Sequence, residues 1–271
     1  MTTQNGSHEQ RHVLITGGSR GIGLGLALRL LARGDQVLIT GRSERSLAEV
    51  ARAHPGVETF AGDLSDPADR EKLAWHVRET MPELDLLINN AGIQRRVALA
   101  ADDAPWAERQ IELDTLLAAP VHLDHLLVPV LLAHGRPAAI VEVTSGGAII
   151  PQPFAPLYSA CKAALHSYTV TLRHSLAYTN CRVIELMPPA VATALAGPGN
   201  THGAPLEEFC DAALAGIDRA LTGGPQVIGY GMTTDERIAD RLHTEQQMFD
   251  TLSSRFPTTT YAGAEERRNS H

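Results

Sequence analysis

Short apolar runs alternate along the chain with longer stretches in which apolar residues recur every three to four positions. The runs at 12–16, 36–40, 57–61, 84–89, 138–145, 181–187 and 226–229 predict strands. The stretches at 21–33, 45–53, 67–81, 105–134, 156–179, 206–222 and 233–256 predict helices, with Gly34 and His54-Pro55-Gly56 as stops. Strands separated by helices of about this length form a parallel sheet covered on both faces, with right-handed crossovers. The fold class expected is therefore α/β, a doubly wound parallel sheet of about seven strands with helices on both faces. No Pro/Gly/Ser linker divides the chain and no repeat appears, so residues 11–256 are expected to form one domain. The polar residues 1–10 are expected to be a disordered lead-in and 257–271 a loose polar tail. In such sheets ligands bind at the carboxyl ends of the strands, so the chemistry should lie just after each strand.

Charge and composition narrow the partners. A formal net charge of -8, with no cluster of Lys or Arg, argues against nucleic acid or an anionic membrane. The start of the chain has no apolar stretch and reads as no signal peptide. No segment is expected to span a bilayer. The greasiest stretch, 113–133, is broken by His122, Asp124, His125 and Pro129, and reads as a buried or interface helix. The three cysteines, Cys161, Cys181 and Cys210, have neither metal-ligand nor disulfide spacing; they predict reduced buried thiols in a cytoplasmic protein, with no metal site. His122, His125, His134, His166 and His174 are assigned surface or packing roles, and Trp75 and Trp106 structural ones.

The first strand runs into Thr16-Gly17-Gly18-Ser19-Arg20-Gly21-Ile22-Gly23. Glycines there let the backbone turn sharply and approach a pyrophosphate. The helix that follows offers free N–H groups and the positive end of its dipole. The second strand ends in Gly41-Arg42-Ser43, with no acid to take a ribose 2′-hydroxyl. Arg20 and Arg42, with the hydroxyls of Ser19 and Ser43, suit a 2′-phosphate instead, so the dinucleotide expected is NADP(H).

Together with that turn, Asp63-Leu64, Asn89-Asn90-Ala91-Gly92, Ser145 and Tyr158-Ser159-Ala160-Cys161-Lys162 resemble the short-chain dehydrogenase/reductase family in order and spacing, over residues 11–230. NNAGIQ, LYSACKAALHSYT and ELMPPAVAT are most similar to its DltE-like branch. The resemblance implies a Rossmann-type fold and an oxidoreductase acting on a small molecule. It implies Asp63 and Leu64 beside the adenine and Asn90, Ala91 and Gly92 under the cofactor. Pro188, Val191 and Thr193 then meet the carboxamide, and Lys162 holds the nicotinamide ribose. It also implies a homodimer or homotetramer paired through helices 105–134 and 156–179. The chemistry agrees. Tyr158 and Lys162, four apart, share one helix face. A nearby ammonium and the charge of an oxidised nicotinamide favour the phenolate and lower the tyrosine pKa from about 10. Ser145 then holds the substrate oxygen.

The sequence departs from the family's pattern. An asparagine in the long helix usually holds a relay water. Counting back from Pro129, and aligning E-L-D-T-L-L-A-A-P with the branch, both place Leu116 there. A shift of two would place Asp114 there and fits both anchors worse. Leucine holds no water, so the relay is expected to be incomplete and this helix straighter. Pro189 stands where most of the superfamily has glycine, and Glu142-Val143-Thr144 where the branch more often has N-V-S. Ser145, Tyr158 and Lys162 favour a carbonyl reductase or the reverse alcohol dehydrogenase. Leu116 keeps two alternatives: a non-redox enzyme such as a dehydratase, isomerase or cyclase, and a cofactor-binding regulatory protein. Arg95 and Arg96 lie near the expected mouth of the site and read as solvated. The segment 194–205 reads as a mobile flap over the substrate.

Overall fold

The computed structural model describes residues 10–196 and 203–256. The expected lead-in, except its last residue, the expected tail and residues 197–202 of the expected flap lie outside the described residues. Seven strands form one parallel sheet in the order β3-β2-β1-β4-β5-β6-β7. They are β1 (His12–Thr16), β2 (Gln36–Gly41), β3 (Val57–Ala61), β4 (Leu86–Asn89), β5 (Ala138–Val143), β6 (Cys181–Met187) and β7 (Val227–Gly229). The helices are α1 (Gly21–Ala32), α2 (Glu44–Ala53), α3 (Pro67–Thr80), α4 (Trp106–Leu113), α5 (Ala119–Ala133), α6 (Pro156–Ser175), α7 (Leu206–Leu221) and α8 (Glu236–Ser253).

Strand alternation sorts the core into two layers. Val13, Ile15, Ile88, Val141 and Ile184 pack with α1, α2 and α7, where Leu26, Leu30 and Phe209 are fully buried. Leu14, Leu87, Ile140 and Val183 face the other way, onto Leu73 and Val77 of α3 and Leu123, Leu127 and Leu131 of α5. The same alternation places Asn89, Glu142 and Glu185 toward this second layer.

The long helix expected at 105–134 is not continuous. Between α4 and α5, residues Asp114–Ala118 form a π-helical turn in which the Ala119 N–H reaches back to the Asp114 carbonyl. Pro120 has no N–H to give the carbonyl four residues earlier, which favours the wider turn. The expectation of a straighter helix is therefore corrected. The widened turn buries Leu116 against Ala155, Tyr158 and Cys161. Nor does the expectation that no segment could span a bilayer hold by length and composition. The stretch Trp106–Ala133 has a window of mean hydropathy 1.8, of which 44% is buried. Its fully buried Leu123, Asp124, Leu127 and Leu131 pack onto the sheet, as in a core helix. Trp75 and Trp106, expected to be structural, point outward at 62% and 67% exposure. The three cysteines are buried and unpaired.

One histidine ties the last helix down. His166 Nδ1 lies 2.9 Å from Glu185 of β6 and Nε2 lies 2.8 Å from Glu245 of α8. Burial opposes charge on this ring, but bonds and attraction to the two carboxylates outweigh it and raise the pKa from 6.5 to about 9. A raised value means that the clamp is complete below the unfolded value of 6.5 and is lost as pH rises through about 9. The melting temperature should therefore fall across that window, and His166→Gln should flatten this part of the curve. Equal pH slopes in both proteins would rule the clamp out.

Candidate active site

Most of the residues singled out by the sequence lie in the loops that follow β1, β2, β3, β4 and β6. A cleft of about 800 Å³ opens there, lined among others by Gly17, Ser19, Arg20, Gly21, Ile22, Arg42, Ser43, Asp63, Leu64, Asn90, Ala91, Gly92 and Thr193. The turn after β1 needs its glycines. Gly17 has φ +65°, and a Cβ there would lie 2.8 Å from Ala91 Cα. A Cβ on Gly23 would lie 2.5 Å from both the Asn90 amide and the Gly17 carbonyl. Gly23 thus packs behind the turn rather than on the cleft wall. The loop after β4 is sewn to the turn. Thr16 Oγ1 accepts the Asn90 and Ala91 N–H groups at 2.9 and 3.0 Å, and the Asn90 amide donates to the Thr16 and Gly17 carbonyls. No side chain caps α1, so its first N–H groups stay available at the cleft.

Arg20 and Arg42 are exposed on the cleft wall, and among the described residues no hydrogen bond or ion pair engages either guanidinium group. Ser43 is also the N-cap of α2, accepting the Ser46 N–H at 3.1 Å and the Ser46 hydroxyl at 3.0 Å. Its own O–H remains free to donate. Asp63 accepts the Ser65 N–H and hydroxyl. Ser46 and Glu49 line the same wall and were missed from sequence, because helix residues after a turn carry no motif of their own. Pro188 and Val191 do not line the cleft. The Pro188 carbonyl accepts the Gly146 N–H at 3.0 Å and Val191 is buried against Ala204.

Ser145, Tyr158 and Lys162 are brought together below the cleft and are all buried. Ser145 Oγ caps the turn after β5, accepting the Gly147 N–H at 3.0 Å, and interacts with the Tyr158 phenol. Lys162 Nζ donates to the Val143 carbonyl at 2.6 Å and lies 5.9 Å from the Tyr158 ring centre. Burial lowers the lysine from 10.5 to about 8, opposed by the Glu142 charge. The tyrosine is shifted the other way by the protein's own groups. Burial raises its pKa, the Ser145 hydroxyl pulls the other way, and the Glu112 charge adds to the rise. The Lys162 charge alone does not lower this phenol.

Leu116 is fully buried beside Tyr158 and lines a residual cavity of about 10 Å³ with Asn89, Thr115 and Lys162. A water needs roughly 10–15 Å³ and two to four polar partners. The leucine leaves about the least space that one water fills. Arg95 is paired to Glu108 at 2.6 Å, and Arg96 lies over the Phe154 ring at 4.8 Å. The sequence reading missed Glu112, buried near Tyr158, and Glu185, and it named Asp124 and Glu142 without giving them a role in the site; the last three acids are each fully buried. The signal was a lone acid inside each apolar run: AAIVEV, CRVIELM and HLDHLLVP.

The family model described as short chain dehydrogenase matches residues 11–203. The chain is 47% identical over 184 residues to the uncharacterized oxidoreductase DltE of Bacillus subtilis, covering 68% of this chain and 72% of the relative. A short chain dehydrogenase from Burkholderia cenocepacia, solved in complex with NADP, superposes with TM-score 0.74 at 28% identity, covering 92% of this chain and 98% of that one. A short-chain dehydrogenase from Sphingobium yanoikuyae in complex with NADPH gives TM-score 0.78 at 25% identity, covering 89% and 95%.

The packing at Gly17 yields a test. Gly17→Ala adds a Cβ to a left-handed residue pressed on Ala91. It should cost about 1–3 kcal/mol of stability and weaken dinucleotide binding at least about tenfold, read by thermal melts and calorimetry. Unchanged binding in the variant would show that the turn does not hold the ligand.

Proposed function

The chain belongs to the short-chain dehydrogenase family, in its DltE-like branch, and we propose on that premise that it is an NADP(H)-dependent oxidoreductase. Its substrate is a carbonyl compound, or the corresponding alcohol in reverse. The observation that carries this reading is the placement of Ser145, Tyr158 and Lys162 together beneath the glycine-rich cleft. The cleft suits the cofactor. Gly17 leaves a cradle that a Cβ would fill, the α1 N-terminus has no side-chain cap, and two unengaged guanidinium groups line the cleft, Arg20 in the turn after β1 and Arg42 after β2. Arg20, Arg42, Ser19 and Ser43 would hold the 2′-phosphate, Asp63 and Leu64 the adenine, and Lys162 the ribose. When bound, the cofactor supplies or takes the hydride, and its oxidised form brings a positive charge next to Tyr158.

Ser145 orients the carbonyl oxygen by donating its hydroxyl to it. Tyr158 gives that oxygen its proton as the general acid, and takes it back in the reverse direction. Lys162, anchored on the Val143 carbonyl, brings the charge that holds the phenolate once it forms. Leu116 favours a second reading, a non-redox enzyme that uses Tyr158 as acid or base. We place the protein in the cytoplasm as a homo-oligomer paired through the outer faces of the α4–α5 and α6 helices.

Two measurements test the reading. Charge-assisted hydrogen bonds are worth about 1.5–3 kcal/mol. Arg42→Ala should therefore weaken NADPH binding about tenfold or more while leaving NADH binding unchanged. Equal affinity of the parent for both cofactors sinks the assignment. Tyr158→Phe should abolish NADPH oxidation across a panel of aldehydes, ketones and keto acids while cofactor binding stays near the parent's. Retained turnover in the Phe variant means that Tyr158 is not the acid. Tight NADPH binding without oxidation on any carbonyl by the parent turns the reading to the non-redox one.

A further inference from the structure

One rung below the reaction centre, the sheet carries acids that the catalytic reading does not use. Asn89, Glu142 and Glu185 are direct cross-strand neighbours on β4, β5 and β6. Asp124 of α5 reaches the same rung. Glu185 is well provided for, accepting the Thr144 hydroxyl at 2.7 Å and facing His166 at 2.9 Å. Asp124 and Glu142 are not. The Asn89 amide donates to Asp124 Oδ1 at 2.9 Å and to Glu142 Oε1 at 2.7 Å, so one nitrogen holds both carboxyls together. Their outer oxygens, Asp124 Oδ2 and Glu142 Oε2, are buried without a donor. Two ionised carboxylates this close, out of water, repel and leave these oxygens unsatisfied. One proton shared between them removes both faults. The electrostatics agree: burial, then the Glu142 charge, raises Asp124 well above its ordinary value, and burial raises Glu142 to about 7.

The pair has an inner and an outer end. Inside, the Glu142 charge interacts with the Lys162 ammonium, which is anchored on the carbonyl of the next residue, Val143. Outside, the half-buried Tyr168 of α6 interacts with Asp124 through its hydroxyl. The other titratable groups facing the pair are Glu185 of β6 and the Cys181 thiol, with His166 and Arg173 behind Glu185.

We propose that Asp124 and Glu142 share one proton and that this pair, refilled from solvent past Tyr168, is the proton supply of Lys162. The inference rests on the redox reading above. In the reducing direction Tyr158 loses its phenolic proton to the product oxygen. Lys162 releases a proton toward Tyr158 and regains one as an O–H bond of the pair breaks and an N–H bond forms at Nζ. The pair is then doubly ionised and takes a proton from water, which passes in at the Tyr168 hydroxyl. One solvent proton enters per carbonyl reduced. Asp124 and Glu142 act through Lys162 and are positioning residues. The 10 Å³ cavity at Leu116 is lined by both Asn89 and Lys162 and so adjoins this route.

Glu142→Gln tests this closely. Glutamine keeps the shape and the hydrogen bond from Asn89, and it removes the Glu142 charge and proton sharing that help hold Asp124 protonated. Asp124 then ionises, so the pair keeps its net charge but has no acid proton to pass. The infrared spectrum of the full-length parent with NADPH bound should show the C=O stretch of a buried protonated carboxyl at neutral pH, absent from Glu142→Gln. On whichever panel carbonyl the parent reduces fastest, kcat should fall about tenfold or more, with KM and NADPH affinity kept. The solvent deuterium isotope effect should rise. Adding Leu116→Asn, which makes room for a water beside Lys162, should restore part of kcat. If Glu142→Gln does not fold, Asp124→Asn is read the same way. No protonated carboxyl in the parent, or a Gln variant with the parent's kcat and pH profile, overturns the proposal while the redox reading stands. A parent that shows the carboxyl band but reduces no carbonyl overturns the redox reading, and the supply route falls with it.

Discussion

Helices cover both faces of the central strands, so a polar side chain on β1, β4, β5 or β6 meets no water unless it lies near or past a strand's end. Apolar residues satisfy that constraint by themselves, and most of the sheet is built of them. Polar residues satisfy it in two ways. At the carboxyl edge, Thr16, Asn90 and Ser145 use backbone partners and leave a cleft between loops. One rung lower, Asn89, Glu142 and Glu185 have no edge to reach and must partner side chains from α5 and α6. Burying a charge costs far more than burying an amide. The lower rung therefore sets which protonation states this part of the fold can hold.

The same constraint shapes Lys162. A fully buried ammonium is disfavoured, and burial does lower its pKa. What keeps it charged is a carbonyl at 2.6 Å and the neighbouring Glu142. An asparagine at position 142 would give the lysine no charge to face. The acid there and the leucine at 116 both bear on the surroundings of Lys162. The first adds charge and a titratable proton, and the second takes away room for water. The two departures from the family's pattern, read separately from the sequence, act on one ammonium group.

The strands and helices were legible because the period of apolar residues switches clearly between two and three to four, and because β1, β3 and β6 have sharp turn residues at their ends. The cleft was legible for a different reason. Glycines, arginines and a short polar loop lie within a few residues of each strand end, where local sequence decides the geometry. Three things were not. The π turn depends on Pro120 denying a hydrogen bond inside a run that otherwise looks continuously helical. The phenol's raised pKa depends on how deeply α6 is packed, which periodicity does not report. The Asp124–Glu142 pair joins residues eighteen apart on different elements through a third, Asn89, and no local pattern contains such a contact.

What joins the upper and lower rungs is a match of two repeats for the step from Tyr158 to Lys162, followed by a step of one strand residue that the His166 and Glu185 side chains span. Four residues of helix rise about 6 Å, and two residues of strand rise about 6.6 Å. Helix α6 passes over β5 and β6 so that Tyr158 meets Ser145, Lys162 meets the Val143 carbonyl two residues lower, and His166 meets Glu185 on the rung below. Every fourth residue of the helix thus finds a polar partner at successive depths of the sheet. The first is at the cleft, the second sits between cleft and core, and the third is tied to α8 through Glu245. A helix placed this way cannot shift along its axis without breaking all three contacts together. The depth of Tyr158 beneath the cleft is therefore set in part by ion pairs two turns away.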